Sequence, residues 1–254
     1  MTPDKEKFKQ ACEKIIGRER DRGPIGTLSE KTLHAVLKNY FEPYTENHEI
    51  KLGSFYADVV GENGIIEVQT RNLYKLKEKL MYFLAVARVT LVFPLPRVKY
   101  VSWVNQETGE VSSKHKSPKK GKPADCFYEL YGLKSLLKHP NLTVCVVMLD
   151  VCDYRNLDGW GTGNKRGSTR NDRIPLDICE EIYLRTPEDY LNLISFPLPA
   201  EFTTTDFKEA SGTPLPYASR AVNILYHMGL CEKIGKRGRS NLYKFVNNNH
   251  DGGH

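Results

Sequence analysis

A carboxylate planted in an apolar run constrains this chain more than any other feature. Residues 64–70 read Gly-Ile-Ile-Glu-Val-Gln-Thr, with Asp58 nine positions ahead of Glu67. Burying a carboxylate is unfavourable unless a cation or hydrogen-bond donors meet it, so Glu67 implies a partner. The β-branched residues and the bounding Gly64 predict a strand. Alternation then puts Ile65, Glu67 and Gln69 on one face and Ile66, Val68 and Thr70 on the other. Residues 51–60 predict a second strand, and Gly61, Glu62, Asn63 and Gly64 tolerate the positive φ of a tight hairpin. Folding back at that turn brings Asp58 to Glu67. Two carboxylates and an amide oxygen at the end of a hairpin form a hard, oxygen-rich site suited to Mg²⁺ or Mn²⁺. The plainer readings make Asp58 a turn residue at a strand end and pair Glu67 with Arg71 on a sheet edge.

The flanking segments supply helices on both sides of the hairpin. Leu33, Val36, Leu37, Tyr40 and Phe41 recur at helical spacing and predict a helix over 28–41, ended by Pro43. On that helix Glu30, His34 and Leu37 occupy adjoining sectors, which turns Glu30 toward the core. Thr27 and Glu30 also fit a capping box, in which Glu30 bonds back to the Thr27 backbone. Leu73, Leu76, Leu80, Phe83 and Ala87 predict an amphipathic helix over 72–87. A buried strand follows at 88–94, then a hairpin through 100–111, and a further strand at 142–151. The order is α, β, β, β, α, β.

Asp58 followed by Glu67-x-Gln69, with these helices around it, resembles the core of the PD-(D/E)XK nuclease superfamily in a variant where Gln replaces the usual lysine. The resemblance covers 28–104, under a third of the chain. It implies Asp58 and Glu67 as metal-binding acids, with the Val68 carbonyl as a further oxygen ligand. It implies Gln69 at the position that orients the attacking water, and Glu30 as the extra first-helix acid of some branches. Two departures stand out. Tyr56 and Ala57 occupy the place where a Pro often precedes the acid, and Gln carries no positive charge. The catalytic ion or a migrated cation must then serve the phosphate, with Arg71, Lys75 and Lys79 as candidates for the latter.

A chain of 254 residues has length for two domains. The amino-terminal residues include no apolar run of signal-peptide type, and no stretch approaches the roughly 20 apolar residues that span a bilayer. The six cysteines form no C-x-x-C pair and no zinc spacing with the seven histidines, so a reducing cytoplasm is the expected compartment. Lys and Arg exceed Asp and Glu, 37 against 31, and the excess is concentrated in acid-poor loops at 112–122, 164–173 and 233–239. Such loops favour a phosphate-backbone partner, although each taken alone reads equally as solvated surface. The Gly-rich stretch 158–167 lacks the order of a nucleotide cradle, and it reads either as a mobile basic loop against DNA with Trp160 as a stacking platform, or equally as a flexible loop that takes no part.

Near 195–199 the pattern changes. A capped helix from Thr203, a turn at 211–216, a helix over 217–228 and two short strands within 231–245 resemble the winged helix-turn-helix family, with 187–194 as its preceding helix. That resemblance implies bases contacted by Tyr217, Arg220 and Asn223, and phosphates contacted by Lys236, Arg237 and Arg239. The expected class is therefore α/β: a restriction-endonuclease-like mixed sheet flanked by helices over 1–186, and a small winged-helix domain over 187–254. The expected activity is Mg²⁺- or Mn²⁺-dependent DNA cleavage. An inert nuclease-like regulator, or a subunit of a repair, restriction or mobile-element complex, remains open, as do a homodimer and a larger nucleoprotein assembly.

Overall fold

A computed structural model describes residues 1–20, 32–105, 107–160 and 166–246. Two helices open the chain, α1 (Lys5–Arg20) and α2 (Thr32–Phe41), followed by strands β1 (His48–Leu52), β2 (Phe55–Gly61) and β3 (Gly64–Val68). A 3-10 turn leads into α3 (Lys77–Leu84), then β4 (Val89–Val104) and the two-residue β5 (His115–Lys116). After the short α4 (Phe127–Leu130) come the long strands β6 (Leu142–Trp160) and β7 (Arg166–Leu184). The chain ends with β8 (Glu201–Phe202), α5 (Thr204–Ser211), α6 (Leu215–Met228), β9 (Cys231–Arg237) and β10 (Ser240–Phe245).

Seven strands form one mixed sheet in the order β1-β2-β3-β4-β6-β7, with β5 on β4. β1, β2 and β3 are an antiparallel meander, while β3, β4 and β6 run parallel. The parallel step from β3 to β4 passes through α3, the crossover such a pair requires. Alternation along the central strands feeds two cores. Val144, Val146 and Met148 join the cluster under α3, α4 and α6, while Cys145, Val147 and Leu149 join the one under α1 and α2. This accounts for the nearly unbroken apolar run over 142–149, since strands covered on both faces need no polar alternation. Helices thus cover both faces of the mixed sheet.

Two expectations about strands need correcting. The strand expected over 51–60 is two strands, because the chain reverses at Gly53 and pairs Lys51 with Tyr56. Gly53 has φ +59, and a Cβ there would lie 2.2 Å from the Tyr82 hydroxyl oxygen. The strand expected to stop at residue 94 runs on as β4 through Pro94 and Pro96. Strand β3 ends at Val68, where the Gln69 amide bonds the Val92 carbonyl. Between that point and Arg97, where the Gly121 amide and then β5 take up the same edge of β4, no strand among the described residues pairs there, and Pro94 and Pro96 place their missing N–H groups in that gap.

The smaller sheet has the order β8-β10-β9 and packs with α5 and α6. The segment expected as a helix over 187–194 is a 3-10 stretch, Glu188–Leu193. A single hydrophobic cluster runs from Leu91 and Phe93 through Phe127 and Leu130 to Ala221, Val222 and Leu225, so buried side chains cross the expected boundary at 186 without a break. Among the described residues no helix is long and apolar enough to cross a membrane. All six cysteines are free thiols, and burial lifts that of Cys145 to about 12, which makes it a small, inert hydrophobe.

The hairpin that carries the two acids depends on Gly64, with φ +110 and a notional Cβ only 2.4 Å from the Arg88 carbonyl oxygen. Gly64→Ala should therefore destabilise the fold by about 2 kcal/mol or more, read as a shift of the urea midpoint at constant slope.

Candidate functional site

The β2–β3 ladder stops one step short of the acids. Its last pairing in that direction is Val59 with Ile66, and the next residues are Asp58 and Glu67. Side chains take over from the backbone there. The Asp58 amide donates to Glu67 Oε1 at 3.1 Å, and the Val68 amide donates to Asp58 Oδ2 at 2.8 Å. Each carboxylate thus occupies the hydrogen-bonding place that a strand partner would fill, which wedges the strands apart and seats both acids at the fork. Glu67 is 1% exposed.

Two further side chains close on the fork from opposite faces of the sheet. From α3, Lys79 Nζ lies 2.6 Å from Glu67 Oε2. From α2, His34 Nε2 lies 3.1 Å from Asp58 Oδ2. Helix α2 is pinned to bring His34 there. The Thr32 amide and hydroxyl bond the Asp172 carboxylate, the Tyr40 hydroxyl bonds Glu181, and Lys38 Nζ reaches Glu49 at 2.5 Å. His34 carried a signal in the sequence, its helical sector beside Glu30, but no role was drawn from it. Of Arg71, Lys75 and Lys79, it is Lys79 that stands at the acids. Lys75 and Arg71 are exposed.

The environments of the two acids push their proton affinities apart. Burial acts to raise the Asp58 carboxyl, but the bond and charge of His34, the Val68 amide and Lys79 outweigh it and hold Asp58 below its ordinary value. Burial, then the Asp58 charge, raise Glu67 from 4.5 to about 7 despite the opposing Lys79. One acid kept ionised beside another poised near neutrality is an arrangement found where a cation or proton is handled.

The donors present are two carboxylates and the Val68 peptide, held beside Asp58 by its amide. Among the described residues no group of three or more His, Cys, Asp or Glu side chains is placed to hold a metal. This donor set suits a hard cation that keeps most of its ligands as water, as Mg²⁺ does, and not one that needs a full protein cage. Glu30 lies outside the described residues. Gln69 turns its amide nitrogen to the Arg71 carbonyl oxygen at 2.7 Å.

The three α6 residues expected to face bases are half-buried and make contacts within the molecule. The Arg220 guanidinium lies 3.6 Å from the centre of the Tyr128 ring and donates to the Tyr128 carbonyl at 2.8 Å. Tyr217 stacks on Tyr128 with ring centres 4.3 Å apart, and Lys134 donates to Asn223 at 2.8 Å. These contacts dock α6 on α4 and the turn after it. At the tip of the β9–β10 hairpin, Lys236 and Arg239 are exposed while Arg237 pairs with Asp206 at 3.0 Å. The second expected basic loop is mostly strand. β7 begins at Arg166 and carries Arg170 and Arg173, and Trp160 ends β6, while residues 161–165 lie outside the described set.

A family model described as "Domain of unknown function (DUF8091)" matches residues 31–185, which include the fork, α2, α3 and the whole large sheet. An uncharacterized protein of Treponema pallidum (strain Nichols) is 30% identical over 221 residues, covering 87% of each chain. No solved structure matches.

The raised Glu67 carboxyl has a direct consequence for stability. The folded state holds a proton that the unfolded chain releases at about 4.5, so this group's contribution falls as pH rises from 4.5 to about 7 and is constant above. The stability difference between wild type and Glu67→Gln, measured by urea titration in chelator, should shift against wild type across that window and then level off.

Proposed function

We infer that this chain, which belongs to the DUF8091 family, is a divalent-metal-dependent nuclease acting on DNA. The observation that carries the reading is the strand fork, where Asp58 and Glu67 meet with Lys79 2.6 Å from one and His34 3.1 Å from the other. The antiparallel β1-β2-β3 meander, the α3 crossover and the parallel β4 support a restriction-endonuclease-like core. The sequence β8, α5, α6, β9, β10, with β10 central in its sheet, supports a winged-helix module. A Mg²⁺ or Mn²⁺ ion held by Asp58, Glu67 and the Val68 carbonyl would polarise a scissile phosphodiester and make hydroxide available near neutral pH.

The chain's own residues divide the remaining work. Lys79 supplies the fixed positive charge that Gln69 lacks, and places it where the non-bridging phosphate oxygens gain charge during attack. His34 holds Asp58 Oδ2 in place and, with the Val68 amide, keeps that carboxylate ionised. Gln69 spends its amide nitrogen on the Arg71 carbonyl, which leaves its oxygen as the part that orients water. A regulator reading duplex DNA through α6 is the weaker account, because Tyr217, Arg220 and Asn223 are engaged within the molecule. The free thiols agree with a reducing, cytoplasmic setting.

Purified protein with Mg²⁺ or Mn²⁺ should cut plasmid and linear DNA. Asp58→Asn and Lys79→Met should each lose at least about 100-fold in rate, with chelator abolishing the wild-type reaction. Wild type that leaves DNA intact under both metals, or an Asp58→Asn variant as active as wild type, contradicts the reading.

A further inference from the structure

A second set of charged groups lies away from the fork, on β4, β6 and β7, and the proposed chemistry does not use it. Its centre is Asp153, 1% exposed, held by a two-pronged pair with Arg173 at 2.6 and 3.0 Å. Lys99 and Arg170 lie within electrostatic reach of Asp153, and Arg155 and Lys119 within reach of Lys99. Three cations therefore surround one buried acid, and two more lie beside Lys99. Lys99 and Arg170 are half-buried, and among the described residues neither has an ion-pair partner. Burial first, and repulsion from neighbouring guanidinium groups, hold both below their ordinary proton affinities. Cations desolvated beside other cations are unfavourable in the free protein, and an anion placed among them removes that penalty.

Two adjoining cavities give the anion a path. Lys99, Lys119 and Arg173 line a cavity of about 270 Å³ whose walls include Tyr128 and Tyr217. Two acids also line it, Asp125 and Glu129, and one oxygen of each is engaged by a backbone amide, that of Lys122 and that of Leu73. Beyond Tyr128 a second cavity of about 320 Å³ is bounded by Asn72, Tyr74, Tyr131 and Arg220. Asn72 adjoins Arg71, whose carbonyl accepts from Gln69 and whose charge is felt by Arg170. Positive charge and tyrosine rings thus run together from the end of β3 to Lys99.

We propose that this cradle holds a backbone phosphate of a single-stranded polynucleotide, with a base in the tyrosine-walled cavity, and so leads the strand toward Asp58 and Glu67. The idea rests on the nuclease reading above. A cavity near 270 Å³ admits a nucleotide but not the two backbones of a duplex, and alternating cations and aromatic faces are how single strands are held.

The test uses the full chain in chelator, so that nothing is cut, with a labelled oligothymidylate and a duplex of equal length, followed by anisotropy across salt concentrations. The single strand should bind about tenfold more tightly than the duplex. Lys99→Gln and Arg170→Gln should each weaken it about fivefold or more and lower the salt slope by about 0.7, with no fall in thermal midpoint because neither gives up an ion pair. Equal binding of the duplex, or variants that bind like wild type, overturns the proposal. The two readings fail separately. If Asp58→Asn abolishes cleavage while the cradle variants keep full affinity, only the cradle is wrong. If affinity depends on the cradle but cleavage survives Asp58→Asn, only the proposed chemistry is wrong.

Discussion

The exchange of a backbone ladder for carboxylate bonds at the end of the β2–β3 hairpin is the constraint on which the rest of the site depends. Past Val59 and Ile66 the two strands no longer bond to one another directly, and the Asp58 and Val68 amides are met by Glu67 and Asp58 instead. An amide left unmet in that interior would be unfavourable by about 1–3 kcal/mol, so the acids are structural before they are chemical. The same bonds bury Glu67, and a buried carboxylate demands a cation. Lys79 meets that demand from α3, the helix that also makes the parallel crossover from β3 to β4. The crossover that builds the sheet therefore also delivers the charge the site needs. On the opposite face, α2 is tied to β7 at Asp172 and Glu181, which holds His34 against Asp58.

The carboxy-terminal module is built into the molecule by the helix face that would otherwise be its most exposed. Apolar residues of α6 enter the same core as Leu91 and Phe93, and its polar residues at 217, 220 and 223 bind α4 and its following turn. This arrangement makes Tyr217 and Arg220 cavity walls. It also leaves the β9–β10 tip, with Lys236 and Arg239, as the exposed basic part of the module.

Much of this was legible in the chain. The alternation of Ile65, Glu67 and Gln69, the turn residues at 61–64 and the periodic leucines of α3 gave the hairpin, its acids and the crossover, because each rests on local spacing. The break at Gly53 was hidden because its flanking residues read as one continuous β-rich run, and what forces the turn there is Tyr82, distant in sequence. Pro94 and Pro96 read as a strand end, since tolerance for them depends on where β3 stops and not on β4 itself. The basic residues after 164 read as a loop from their composition, yet pairing with β6 makes them a strand. Lys79 and His34 share the reason they were hard to choose. Helical spacing tells which face a side chain occupies, but not which distant carboxylate that face meets.

The central claim is that the fork is a cation site, and calorimetric titration of Mn²⁺ into the full chain at mildly alkaline pH tests it most directly. One ion per chain is expected for wild type, with the heat lost in Asp58→Asn and in Glu67→Gln. The absence of binding heat in wild type, or equal binding by both variants, would contradict it.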